Sequence, residues 1–124
     1  MGESFDTVAQ QFVDNYYPAY DQDATQIGYF YRDNSMLTYE GRQAKGTDSI
    51  LQEFASRKFK RLEHKVTSYA AQPSIQDGSV LILVSGQIAF DEGNTPPLFF
   101  SETFLLAQDG GYYIFNQIFS LNYG

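Results

Sequence analysis

The stretch Ser79-Val80-Leu81-Ile82-Leu83-Val84-Ser85-Gly86-Gln87-Ile88-Ala89-Phe90-Asp91 decides the fold. Its period is two, with Val80, Ile82, Val84, Ile88 and Phe90 on one face, which marks a strand. Leu81, Leu83 and Ala89 fall on the other face, so both sides are apolar. A sheet with two apolar faces must be covered twice. Three further segments share the character: 62–71, 98–108 and 112–121, with Tyr113, Phe115 and Phe119 alternating against Tyr112, Ile114 and Ile118 in the last. The separators Gln76-Asp77-Gly78, Gly93 to Pro97 and Asp109-Gly110-Gly111 read as turns. Long strands with short joins make an antiparallel sheet.

Upstream of residue 62 the period is helical. Phe5, Val8, Phe12, Tyr16 and Tyr20 recur at steps of three and four over residues 4–20, with Ser4 as N-cap. Pro18 removes a donor and opposes the Asp14 carbonyl, so this helix is expected to kink there or end just before. Residues 24–31 suggest a second short helix, and 48–56 a third, with Ile50, Leu51 and Phe54 inward. Between them Met36–Tyr39 reads as a short strand and 41–46 as a loop. The sum is a single α+β domain over 1–124: a cone-like roll of three helices in a curved antiparallel sheet with an open apolar pocket. The helices cover one sheet face, and a second copy of the chain is expected on the other, with Leu83 and Ile118 in that interface.

Composition narrows the function. The 124 residues carry a net charge of −7, and eleven Phe and ten Tyr stand beside no Trp and no Cys. Disulfides and thiolate metal sites are thereby excluded. All eight basic residues lie between Arg32 and Lys65, and residues 1–31 and 66–124 each hold five acids. Such a surface repels nucleic acid and anionic membrane and favours a basic partner. The cluster Arg57, Lys58, Lys60, Arg61 is weighed as a phosphate patch and read as a solvated helix end. No apolar run approaches the ~18 residues of a membrane span, and the N-terminus lacks the pattern of a secretory signal. The chain reads as soluble and intracellular.

Candidate chemistry is sparse. His64, the lone histidine, is flanked by Glu63 and Lys65 and has no nucleophile in a recognisable relation to it. Asp21-x-Asp23 is too small a carboxylate set for a calcium loop, and Asp109-Gly110-Gly111 lacks the phosphate-loop pattern. No cofactor is expected. Glu40 is the most suggestive acid, since it follows an aromatic strand end and precedes Gly41.

Several stretches resemble the nuclear transport factor 2 family. They are Phe12-Val13-Asp14-Asn15-Tyr16-Tyr17, Asp23-Ala24-Thr25-Gln26-Ile27-Gly28, Ser35-Met36-Leu37-Thr38-Tyr39-Glu40-Gly41, Phe100-Ser101-Glu102-Thr103-Phe104-Leu105-Leu106, and the run from Tyr112 to Tyr123. The likeness runs from about residue 3 to residue 123. It implies a non-enzymatic homodimer that binds the GDP form of the small GTPase Ran and phenylalanine-glycine (FG) repeat nucleoporins. Such a carrier imports Ran and is found in cytoplasm and nucleus, concentrated at the nuclear envelope and pore. The resemblance implies a Ran site at Tyr39, Glu40, Asp91 and Glu92, with a pocket wall of Leu62, Ile88, Leu98 and Phe119. It places the nucleoporin anchor at Phe5. The chain departs from the family pattern at Gly93, where an aspartate is expected, and at Arg57-Lys58, where Leu-Pro is usual. The alternative is a small isomerase or dehydratase of the same fold, with Glu40 as pocket base and Tyr16 or Tyr17 as donor.

Overall fold

A computed structural model describes residues 4–56, 62–90 and 96–122. Helix α1 runs Phe5–Asp23 and is capped by Ser4, whose hydroxyl accepts from the Thr7 N–H at 3.2 Å. It continues through Pro18, so it does not end before the proline. Pro18 is exposed, so the carbonyl it leaves unbonded is within reach of water, while Tyr16, Tyr17 and Tyr20 hold the helix to the core on either side. The second expected helix is two separate 3-10 turns, Ala24–Gln26 and Gly28–Phe30, around the buried Ile27. Strand β1 (Met36–Tyr39) forms as expected and pairs in a hairpin with β2 (Arg42–Lys45), where a loop was expected, and α2 follows over Thr47–Ala55.

The long strands are β3 (Leu62–Pro73), β4 (Val80–Phe90), β5 (Leu98–Gln108) and β6 (Tyr112–Asn122). They join β1 and β2 in one curved six-stranded sheet of order β2-β1-β6-β5-β4-β3, open rather than closed into a barrel. Every pairing is antiparallel except β1 with β6.

Register sorts the side chains into two faces. On the inner face one row reads Ala71, Ile82, Phe104, Gln117, Leu37, Ala44 across the six strands. The next reads Tyr69, Val84, Glu102, Phe119, Tyr39, Arg42. Helix α1 packs its Val8, Val13 and Tyr16 stripe onto this face, and most of the core lies there.

The outer face reads Ala70, Leu83, Thr103, Ile118, Thr38, Gln43, and beside it Gln72, Leu81, Leu105, Asn116, Met36, Lys45. Leu83, Phe99 and Ile118 there are at least half exposed in the single chain.

One face assignment needs correction. Phe115 is an extra residue in β6, because Leu105 pairs with Asn116 while Leu106 pairs with Ile114. This bulge inverts the alternation, so Ile114 and Phe119 share the inner face and Tyr113 lies on the other. Tyr113 is covered there by the Arg32 guanidinium, 4.4 Å from its ring centroid.

Candidate functional site

The hairpin that carries Glu40 turns on two residues, Glu40 at φ 51° and Gly41 at φ 83°. Two positive φ values match a type I′ turn, whose twist suits a hairpin but whose first position normally takes Asn, Asp or Gly. Among the described residues Glu40 is the one non-glycine with positive φ. It is held from both ends. Its N–H donates to the Phe119 carbonyl at 3.1 Å, and its carboxylate accepts from the Leu121 N–H at 2.8 Å. A side chain kept in sparsely populated backbone space by its surroundings is a recognised mark of functional positions.

The aromatic beside it is buried. Tyr39 stacks on Phe119 at 4.3 Å between ring centroids, and Phe119 stacks on Phe100 at 5.6 Å. Tyr39 also meets Phe54 edge-on at 6.1 Å, and Phe100 meets His64 edge-on at 5.2 Å. Phe54 and His64 belong to the wall of a cavity of about 910 Å³ between the C-terminal half of α1, the end of α2 and the start of β3. Leu62 is in that wall. Ile88, Leu98 and Phe119 are not among its lining residues. Ile88 pairs with both His64 and Leu98 on the inner face, and Ile88 and Phe119 are buried in the core. Asp91 and Glu92, like Gly93 and Arg57-Lys58, lie outside the described residues.

The cavity is more polar than an apolar pocket. Asp14, Asp21, Asp23 and Glu63 line it together with Val13, Tyr17 and Phe54. Asp21 clamps His64, accepting from its backbone N–H at 2.8 Å and meeting its Nδ1 at 2.6 Å. Asp23 caps the following 3-10 turn through Thr25 N–H and Oγ1, and these bonds lower its carboxyl below the ordinary range. Both acids of Asp21-x-Asp23 therefore serve protein partners. Among the described residues no group of three or more His, Cys, Asp or Glu side chains is placed to hold a metal.

A second polar centre escaped the sequence reading. Glu102 is buried, accepting from the Tyr17 hydroxyl at 2.8 Å and from Gln117 Nε2 at 2.6 Å. Gln117 also accepts from the Tyr31 hydroxyl at 2.7 Å, and the Tyr16 and Tyr31 hydroxyls are 2.8 Å apart. Burial raises the Glu102 carboxyl above its ordinary value, opposed by His64 and by its two donors. Burial likewise pushes the Tyr16, Tyr17 and Tyr31 phenols well up. Glu102 occupies the phase set by Leu98, Phe100, Phe104 and Leu106 along β5. A charged residue in the apolar phase of a strand was the available signal. The Tyr16 and Tyr17 hydroxyls are thus engaged in this network, not paired with Glu40 as the enzyme alternative sketches.

The nuclear transport factor 2 domain model matches residues 8–121. The chain belongs to the nuclear transport factor 2 family. It is 42% identical to nuclear transport factor 2 of Candida glabrata over 124 residues, covering 99% of this chain and 98% of the relative. It is 41% identical to that of Saccharomyces cerevisiae over the same shares. Among solved structures, nuclear transport factor 2 from Cryptosporidium parvum superposes with a TM-score of 0.86 at 35% identity, covering 95% of this chain and 94% of that one. The near-complete coverage extends the nuclear transport factor 2 likeness over both α1 and the whole sheet.

Proposed function

We propose that this protein is a homodimeric nuclear transport carrier that binds the GDP form of Ran and FG-repeat nucleoporins. In this reading it brings Ran into the nucleus and is found in cytoplasm and nucleus, concentrated at the pore. The observation that carries the Ran reading is Glu40. Its positive φ and its bond from Leu121 present a fixed carboxylate beside the stacked aromatics Tyr39 and Phe119. A preorganised acid of this kind suits a charge-assisted bond to a Lys or Arg of a basic partner. Asp91 and Glu92 would extend the acidic rim. The family's transport-factor relatives support the same reading and support a role outside catalysis.

Phe5 supports the nucleoporin reading. It is half-buried and lines a shallow groove of about 320 Å³ with Pro73, Gly78, Val80 and Tyr112. The outer sheet face supports the homodimer, since Leu83 and Ile118 lie in one row with only uncharged neighbours.

Capture on immobilised Ran tests the central claim. Binding to Ran·GDP and not to Ran·GTP is expected. Glu40→Lys should abolish it with the dimer intact, and Glu40→Gln, which keeps an acceptor for Leu121, should weaken it while folding normally. Equal binding to both nucleotide forms, or none to either, overturns the reading. A Glu40→Lys protein that no longer folds or dimerises assigns the residue to the fold instead.

A second reading, an isomerase or dehydratase, has one observation in its favour. Tyr17 and His64 face the cavity, and behind them lies a buried carboxylate with a raised pKa. Glu102 is itself absent from the cavity wall, which counts against it as a base.

A further inference from the structure

Tyr112 belongs to two pockets. One is the Phe5 groove. The other, of about 170 Å³, lies between α1, the Gly28–Phe30 turn and the hairpin joining β5 to β6. Val8, Phe12, Phe30, Leu106 and Tyr112 wall it, and the exposed amides Gln11 and Asn15 form its lip. None of its lining residues carries a formal charge. A dry cavity of ~150 Å³ walled by apolar side chains is enough to hold benzene, so this pocket has the size of one phenyl ring. Phe12 and Phe30 stand at 84° with centroids 5.8 Å apart, which offers an incoming ring both a face and an edge. An ionised side chain would lose its hydration there and meet no opposite charge among the lining residues.

We propose that this pocket is a second seat for an aromatic side chain. Its occupant is the same extended, uncharged repeat segment whose first ring sits in the Phe5 groove. The proposal rests on the nucleoporin reading above and adds a second contact to it. Two observations favour one segment across both pockets: they share Tyr112 as a common wall, and α1 sets their spacing. Phe5 and Phe12 are seven residues apart on the helix, roughly 10 Å at 1.5 Å per residue. A peptide in the extended polyproline II conformation advances about 3.1 Å per residue with about three residues per turn, so two rings three positions apart point the same way and would reach both seats. Once the first ring is bound, the second binds as an intramolecular event.

The test uses the 15N-labelled full chain and two peptides of Gly and Ser, one with two phenylalanines three positions apart, the other with its second phenylalanine replaced by alanine. The two-ring peptide should shift the amide resonances of Gly78 and Ser79 and also those of Gln11 and Asn15. It should bind at least about tenfold tighter than the one-ring peptide. The double variant Gln11→Glu, Asn15→Glu alters only exposed side chains and should remove that advantage, leaving the one-ring affinity. Shifts confined to Gly78 and Ser79, with equal affinity for the two peptides, overturn the second seat and leave the nucleoporin reading standing. No shift at either place overturns both.

Discussion

Glu102 illustrates how a single side chain can carry a large share of the core's polarity. It is fully enclosed, and its two oxygens accept from Tyr17 and Gln117. Glu102→Ala would strand both donors and open a cavity, at a cost of about 2–4 kcal/mol, measurable by urea unfolding. Glu102→Gln should behave differently. The new amide would face Gln117 Nε2, but Gln117 can turn over, because its other partners, Tyr16 and Tyr31, are hydroxyls able to donate or accept. The charge then disappears with the network kept. Since the folded protein holds the Glu102 proton more tightly than the unfolded chain, the group's contribution is full below the ordinary Glu range. It is lost as pH rises through the raised native value. The melting temperature of Glu102→Gln relative to the parent should therefore improve from pH 5 to pH 8. A difference that stays flat or declines over that range would show that burial does not raise this carboxyl.

The elements show where pattern suffices and where it fails. Long β4 and β5 were legible because a strand needs only its period to declare itself, and Val80 to Phe90 and Leu98 to Phe104 keep that period throughout. Helix α1 was legible in its stripe but not in its length. Pro18 reads locally as a stop, yet the tyrosines before and after it bury enough apolar surface to carry the helix on to Asp23. Pro18→Ala should return a bond to the Asp14 carbonyl and raise stability by about 1–3 kcal/mol in thermal unfolding. An unchanged or lower stability would mean that Pro18 is matched to a bend the helix requires. The pairing of β1 with β2 was hidden because Glu40-Gly41 is not a usual type I′ pair, and the bond from Leu121 that supports it comes from a strand 81 residues away. The bulge at Phe115 was hidden for a related reason: an extra residue shows only against its partner strand. The candidate site follows the same division. Tyr39, Glu40 and Leu62 come from the resemblance, whereas Glu102, Gln117 and the Asp21–His64 clamp depend on contacts between separate elements of the chain.

At the scale of the molecule, the two sheet faces divide the work. The inner face holds the core, the buried polar network and the wall of the large cavity. Among the described residues no element lies over the centre of the outer face, and Leu83, Phe99 and Ile118 stay at 50%, 58% and 53% exposure. Its two central rows contain one charged residue, Lys45, at the β2 edge. A patch of this size and neutrality is seldom left to water, and a two-fold pairing would let each copy cover the other. Ile118→Glu separates this arrangement from a stable monomer. In a single chain the new carboxylate would sit at a half-exposed position and cost little. In a pair it would be buried twice across the two-fold axis without a cation, and even about 3 kcal/mol would weaken the dimer more than about a hundredfold. Sedimentation should therefore give a dimer for the parent and a folded monomer for Ile118→Glu, with circular dichroism unchanged. A parent that sediments as a monomer at micromolar concentration would leave the outer face without the partner assigned to it.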